Sequence, residues 1–225
     1  MINKPDYDRA ATAAMQLLVD RSVSETPVHS MNILLSYPHV RVIPYISAAE
    51  QAGMDRKELV LLFGNQEAAL FKLNMPEDPE MKDVDYVVFY NMLLPSEVVR
   101  RAIARELGHI VLGHDGMTRS IPARMEEAHC FAHHLLTPRP IIHMLQQSGM
   151  PVTINMLVET TGCSESCVDE MQTIPSASVP VDLNRQVSAL FAPHIMEYIE
   201  FHRHSAKCDH SPVVDFGSYM NGYKE

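Results

Sequence analysis

Hydrophobic positions recur with the spacing of α-helices along most of the chain. The N-terminal helix is capped by Asp6 and runs to about Arg21, with alanines and leucines on one face. Segments rich in β-branched and aromatic residues predict strands at 39–43, 69–73 and 85–90. Further helices are predicted at 28–35, 55–62, 95–112 and 122–136. The pattern thus predicts several helices and three short strands in this part of the chain.

After Gly149 the pattern becomes wholly helical. Two short segments around Gly162, at 153–159 and 164–172, are typical of a helix-turn-helix pair, and a helix at 182–204 is interrupted by Pro193. The last residues have no periodicity. We therefore predict a domain at 1–148, a helical appendage at 149–205 and a mobile tail at 206–225.

Composition narrows the class of protein. The formal net charge is −10, and no Lys or Arg falls between Arg139 and Arg185, so the helix-turn-helix-like pair is expected to pack rather than to bind nucleic acid directly. The N-terminus lacks the apolar core of a signal peptide, and no apolar run is long enough for a membrane span. Four scattered cysteines do not form a disulfide framework. We expect a cytoplasmic protein without membrane contact.

The most informative segment is Arg105-Glu106-Leu107-Gly108-His109. In the zinc-protease motif His-Glu-x-x-His, two histidines on one helix face bind zinc and the glutamate acts as general base. Here the glutamate and the second histidine are present, but Arg105 stands at the first histidine. A guanidinium stays protonated and has no lone pair for a metal.

The following helix offers a third ligand. Glu126 and Glu127 are the candidates, and Glu127 is favoured because it borders the packing face formed by Ala128 and Ala132. His134 falls on the same side of the helix as Glu127 and could assist, as could His114, which follows the end of the first helix.

Together these helices resemble the ImmA/IrrE family of zinc metallopeptidases. The resemblance rests on Ala104–His114 and on Glu126-Glu127-Ala128 with Phe131-Ala132 and Leu135-Leu136-Thr137-Pro138. It implies a zincin-like α+β fold with a small antiparallel sheet packed on helices, and cleavage of a helix-turn-helix transcriptional repressor that controls mobile-element or stress genes. It also implies that Glu106 is the general base and that His109 and Glu127 bind zinc.

Several interpretations stay open. Arg105 could form an ion pair with Glu127 in place of the metal, or His114, His129 or His133 could substitute for the missing ligand. His129 and His133 are spaced as a metal pair, although a solvated helix face is favoured; Cys130, Cys163, Cys167 and Cys208 are expected to be ordinary thiols. Two functions follow: a zinc-dependent peptidase, or a pseudopeptidase that binds a regulator without cutting it.

Overall fold

A computed structural model describes residues 4–64, 66–73, 81–116, 119–203, 212–216, 219–221 and 223–224. The helices are α1 (Tyr7–Asp20), α2 (Ser30–Leu35), α3 (Tyr45–Ala52), α4 (Arg56–Phe63), α5 (Ser96–Val111), α6 (Ile121–Leu136), α7 (Arg139–Gln147), α8 (Ile154–Thr161), α9 (Glu165–Met171) and α10 (Val181–His202). The strands are β1 (Val40–Pro44), β2 (Ala68–Lys72) and β3 (Tyr86–Tyr90). The chain forms two compact units: residues 29–117, and residues 1–28 with 118–225.

The unit of residues 29–117 holds the sheet, with strand order β1-β3-β2. β2 runs antiparallel to β3, whereas β1 runs parallel to it, with Val40 opposite Tyr86. The sheet is therefore mixed and not wholly antiparallel as the resemblance implied. Parallel neighbours need a long connection, and the segment between β1 and β3 supplies one because it contains α3, α4 and β2.

Helix α5 packs against α2, β2 and β3 in this unit. Ala102, Ile103 and Leu107 are fully buried on its inner face. A capping box starts α4, near the beginning of the helix predicted at 55–62: the Asp55 amide donates to Glu58 at 2.8 Å, and the Glu58 amide donates to Asp55 at 2.9 Å.

In the other unit, α1 packs along α6, and α10 packs against α1 and α7. Asp6 caps α1 as predicted, since its carboxylate accepts from the Arg9 amide at 3.0 Å. The two short helices predicted after Gly149 are α8 and α9, and Gly162 ends α8 in the left-handed conformation with φ 65°.

Prolines explain the main differences from the predicted helices. Pro138 precedes α7, a helix that the sequence analysis did not predict. Pro140 is tolerated in α7 because it lies in the first turn, where the backbone needs no amide donor. Pro193 does not interrupt α10, which is continuous. Val187, Phe191, Ile195 and Ile199 are buried along α10, and their packing offsets the lost hydrogen bond.

The segment predicted to be a mobile tail makes definite contacts in its described residues. Val213 bridges to Thr153, and the Val214 amide donates to the Val152 carbonyl at 2.9 Å. Tyr219 is fully buried, and its hydroxyl donates to the Thr137 carbonyl at 2.7 Å. Within the described residues, no helix combines the length and hydropathy of a membrane span.

Candidate functional site

Glu106, the predicted general base, lies on α5 beneath β2. The carboxylate is almost completely buried, and it accepts a hydrogen bond from the backbone amide of Leu70. Burial raises the pKa of Glu106 to about 7, against smaller opposing effects from Arg105 and that amide. A carboxyl group that titrates near neutrality is suited to proton transfer.

Tyr45, on α3, is a neighbour of Glu106 that the sequence analysis did not identify. Its ring is stacked on Phe63 with centroids 4.2 Å apart, and its hydroxyl has no hydrogen-bond partner among the described residues. Burial, together with the nearby Glu106 charge, raises the pKa of Tyr45 to about 12. It therefore offers a neutral hydroxyl beside the carboxylate. No motif marks this residue in the sequence.

The raised pKa of Glu106 predicts a specific dependence of stability on pH. Between the ordinary pKa of 4.5 and the native pKa of about 7, Glu106 is protonated in the native state but ionised in the unfolded chain. The free energy of unfolding therefore falls as pH rises through this range and levels off above it. The fall approaches about 3 kcal/mol because each unit of pKa corresponds to about 1.4 kcal/mol. Glu106→Gln should remove this fall in urea titrations between pH 5 and 8. Glu50→Gln, at an exposed site on α3, should retain it; an unchanged slope in Glu106→Gln would contradict the assignment.

His109 and His114 are brought together at the end of α5. Their Nδ1 atoms lie 2.8 Å apart, and their rings meet edge to face. Gly113, with φ 60°, turns the chain so that His114 returns beneath the helix, where it is buried. The adjacent Asp115 anchors this turn by accepting hydrogen bonds from Lys72 and Tyr86. His114 is thus held beside the predicted ligand His109.

Arg105 forms its ion pair with Glu67, where the sequence suggested Glu127. Its Nη2 lies 2.8 Å from Glu67 Oε2, and Arg101 Nη2 lies 3.4 Å from Glu67 Oε1. Two arginines one turn apart on α5 therefore share one carboxylate just before β2. Glu67 was not recognised in the sequence because the pairing joins residues far apart in the chain.

Glu127, the predicted third ligand, is wholly buried in its own unit. Its Oε1 accepts from Arg119 at 2.6 Å and from the Asp6 amide at 2.8 Å. Arg9 Nη1 lies 3.5 Å from Oε2. The carboxylate is therefore neutralised by two arginines of the same unit.

The remaining histidines of α6 are less exposed than predicted. His134 is fully buried against Tyr219, its Nδ1 lies 2.9 Å from the Cys130 carbonyl, and burial lowers its pKa to about 3. These are the surroundings of a core histidine. His133 is also buried and His129 is half-buried. The prediction that these histidines lie on a solvated face is therefore wrong for His133. The helix α9 approaches this face, which periodicity within α6 does not reveal.

The model of the IrrE N-terminal-like domain, a peptidase family, matches residues 65–170. This match includes Glu67, both helices of the predicted site, α8 and all but the last residue of α9. Residues 65–170 belong to the IrrE N-terminal-like family. No curated protein matches the chain. The family resemblance inferred from α5 and α6 is confirmed, and so is the fold class, a small sheet packed on helices with a helical C-terminal region.

The residues of this IrrE N-terminal-like domain do not fit the family's zinc centre. The side chain at the first histidine position is a guanidinium, which is ion-paired with Glu67 and has no lone pair to give. Glu127 is already bound by cationic donors. Within each unit, the described side chains at these positions therefore favour ion pairs over metal binding.

Proposed function

We propose that this protein is a pseudopeptidase, which binds a cytoplasmic regulator in an IrrE N-terminal-like domain without zinc-dependent cleavage. The observation that carries the proposal is the ion pair between Arg105 and Glu67 at the position of the first zinc ligand. A fixed positive charge there disfavours a second cation and supplies no ligand.

The sheet provides a surface for a polypeptide partner. Among the residues that the structure describes, β2 pairs with β3 on one side and lies at the end of the order β1-β3-β2. The Leu73 amide donates to the β3 side, at the Asp85 carbonyl, so backbone alternation directs the Leu70 amide away from β3 and toward Glu106. The same alternation directs the backbone of Lys72 outward, and an extended segment could pair with β2 at this position, two residues from the amide that Glu106 accepts from.

The partner we propose is a helix-turn-helix transcriptional repressor, the substrate class that the family resemblance implies. The chain itself is acidic, with a formal net charge of −10, which suits a basic DNA-binding partner better than nucleic acid. In this role the protein would sequester the repressor and relieve repression without proteolysis.

A second candidate function, hydrolysis, is favoured by one observation. Glu106 is buried with a pKa of about 7, which suits a general base that accepts a proton from water. Because Arg105 cannot bind a metal, hydrolysis would require another group to polarise the carbonyl of the scissile peptide bond.

Incubation with a panel of purified helix-turn-helix repressors separates the two functions. We expect calorimetric binding of at least one repressor, with every intact mass unchanged in the presence of zinc. Lys72→Pro removes an outward amide from the exposed end of β2 and should weaken binding at least tenfold, whereas Lys72→Ala, which loses the same side-chain contact with Asp115 but keeps the amide, should not. Cleavage that stops on adding a chelator, or in Glu106→Gln, would instead support hydrolysis. Absence of binding to the whole panel would overturn the partner assignment.

A further inference from the structure

We propose that His129, His133 and Glu170 form a zinc-binding site that joins α6 to α9. All three residues belong to the unit of residues 1–28 and 118–225. The site is independent of the proposed function, because it uses none of the residues on α5.

The geometry of the cluster fits one small cation. Glu170 Oε2 lies 3.8 Å from His129 Nε2 and 3.7 Å from His133 Nε2, and all three ligand atoms lie within 4.8 Å of one another. Ligands at the usual zinc distances of about 2.0–2.2 Å lie about 3.4 Å apart in a tetrahedron. The two separations from Glu170 therefore need to shorten by only a few tenths of an ångström, and the two histidine ligand atoms lie no more than 4.8 Å apart.

The separations are also too long for direct hydrogen bonds, which are typically about 2.7–3.2 Å between nitrogen and oxygen. Both imidazoles nevertheless direct Nε2 toward the same carboxylate oxygen. Because the two histidines are four residues apart on α6, the helix itself fixes their spacing. A cation held between the three atoms would be bound by all three at once.

The other ring nitrogen of His133 is also supported. Its Nδ1 lies 4.0 Å from the sulfur of Cys167, one turn before Glu170 on α9. A proton on Nδ1 directed at this sulfur leaves the Nε2 lone pair available to a metal. The same helix thus provides both a ligand, Glu170, and the group that orients a second ligand.

Burial differs across the cluster in a way that allows entry of an ion. The side chain of His133 is 1% exposed, whereas those of His129 and Glu170 are 34% and 40% exposed. The buried His133 is the inner ligand and is held in place by its packing. Water can complete the coordination of the ion on the side of the cluster where His129 and Glu170 are exposed. Two histidines and one carboxylate with one open position are an established zinc-ligand set in proteins.

Zinc bound here would fasten the α8–α9 pair to α6. The energy of binding would add to the stability of this unit, because the unfolded chain does not hold the three ligands together. We therefore expect the bound ion to stabilise this unit.

Zinc titration of the full chain, freed of metal by a chelator, tests the site. We expect one equivalent of Zn²⁺ to bind and to raise the melting temperature. His129→Ala and Glu170→Gln should each weaken affinity by more than about 100-fold and abolish the rise, since loss of a direct ligand exceeds the effect of an outer-shell change. Both positions are partly exposed, so the variants should fold.

Matched controls are His194→Ala on α10 and Glu165→Gln on α9, which should bind zinc like the unaltered protein. Co²⁺ gives an independent readout: the intense visible bands of tetrahedral coordination should form in the protein and disappear in Glu170→Gln. A folded protein that takes up no Zn²⁺, or equal affinity in His129→Ala, Glu170→Gln and the controls, would overturn the proposal.

Discussion

Replacement of Arg105 by histidine is expected to create a zinc-binding pair on α5. Residues 105 and 109 lie on one face of this continuous helix, so Arg105→His completes the His-Glu-x-x-His motif around Glu106. The change also removes the charge that is ion-paired with Glu67. We expect zinc affinity at this position to rise by more than about 100-fold, because a direct ligand is gained.

The measurement should be made in a His129→Ala background, which removes the site proposed on α6 and α9. Zinc content by mass spectrometry should then rise from none to one equivalent per chain. Arg101→His is the matched control, because Arg101 lies on the same helix and shares the carboxylate of Glu67 but is not four residues from His109. If Arg105→His takes up no zinc at saturating concentration, the alignment of α5 with the family motif is wrong.

A gain of zinc would also clarify the proposed function. Should Arg105→His bind zinc and begin to cleave a repressor that the unaltered protein only binds, then a single side chain separates the two activities. Cleavage by the unaltered protein would show that Glu106 acts without a histidine at position 105. The residue at position 105 therefore distinguishes the pseudopeptidase from the peptidase in this experiment.

Local signals in the sequence were sufficient to predict most helices and strands. Asp6 caps α1 and Asp55 pairs with Glu58 because those hydrogen bonds span only three residues. Gly162 ends α8 for an equally local reason, its left-handed backbone. The degenerate zinc-protease motif Arg105–His109 could also be recognised from the sequence, since its residues lie within two turns of a single helix.

Pairings between distant segments could not be predicted in the same way. The Arg105–Glu67 ion pair spans 38 positions, and the approach of Glu170 to His133 depends on how α9 returns to α6. Side-chain chemistry allowed several partners for each group, and tertiary packing selected among them. The burial of Tyr219 was missed for the same reason, because its neighbours Thr137 and His134 lie far away in the chain.

Removal of the Glu127 carboxylate is expected to have the largest effect on stability. It is fully buried and accepts hydrogen bonds from Arg119, Arg9 and the Asp6 amide. Glu127→Ala removes the shorter of the two carboxylate contacts of Arg119, whose side chain is only 14% exposed, and leaves it with Asp6 at 3.5 Å. Breaking a buried ion pair from one side costs about 3–5 kcal/mol, and we expect a loss within this range.

Glu126→Ala provides the matched control, because Glu126 is the adjacent residue of α6 and is exposed. Its loss should change the free energy of unfolding by less than about 0.5 kcal/mol. Urea unfolding should be followed with a chelator present, so that metal binding cannot contribute to the difference. If the two variants are equally stable under these conditions, the arginine contacts do not stabilise the fold and Glu127 is available as a ligand. A large difference instead shows that the residue at the family's third ligand position stabilises this unit through its arginines, which is the behaviour expected of a pseudopeptidase.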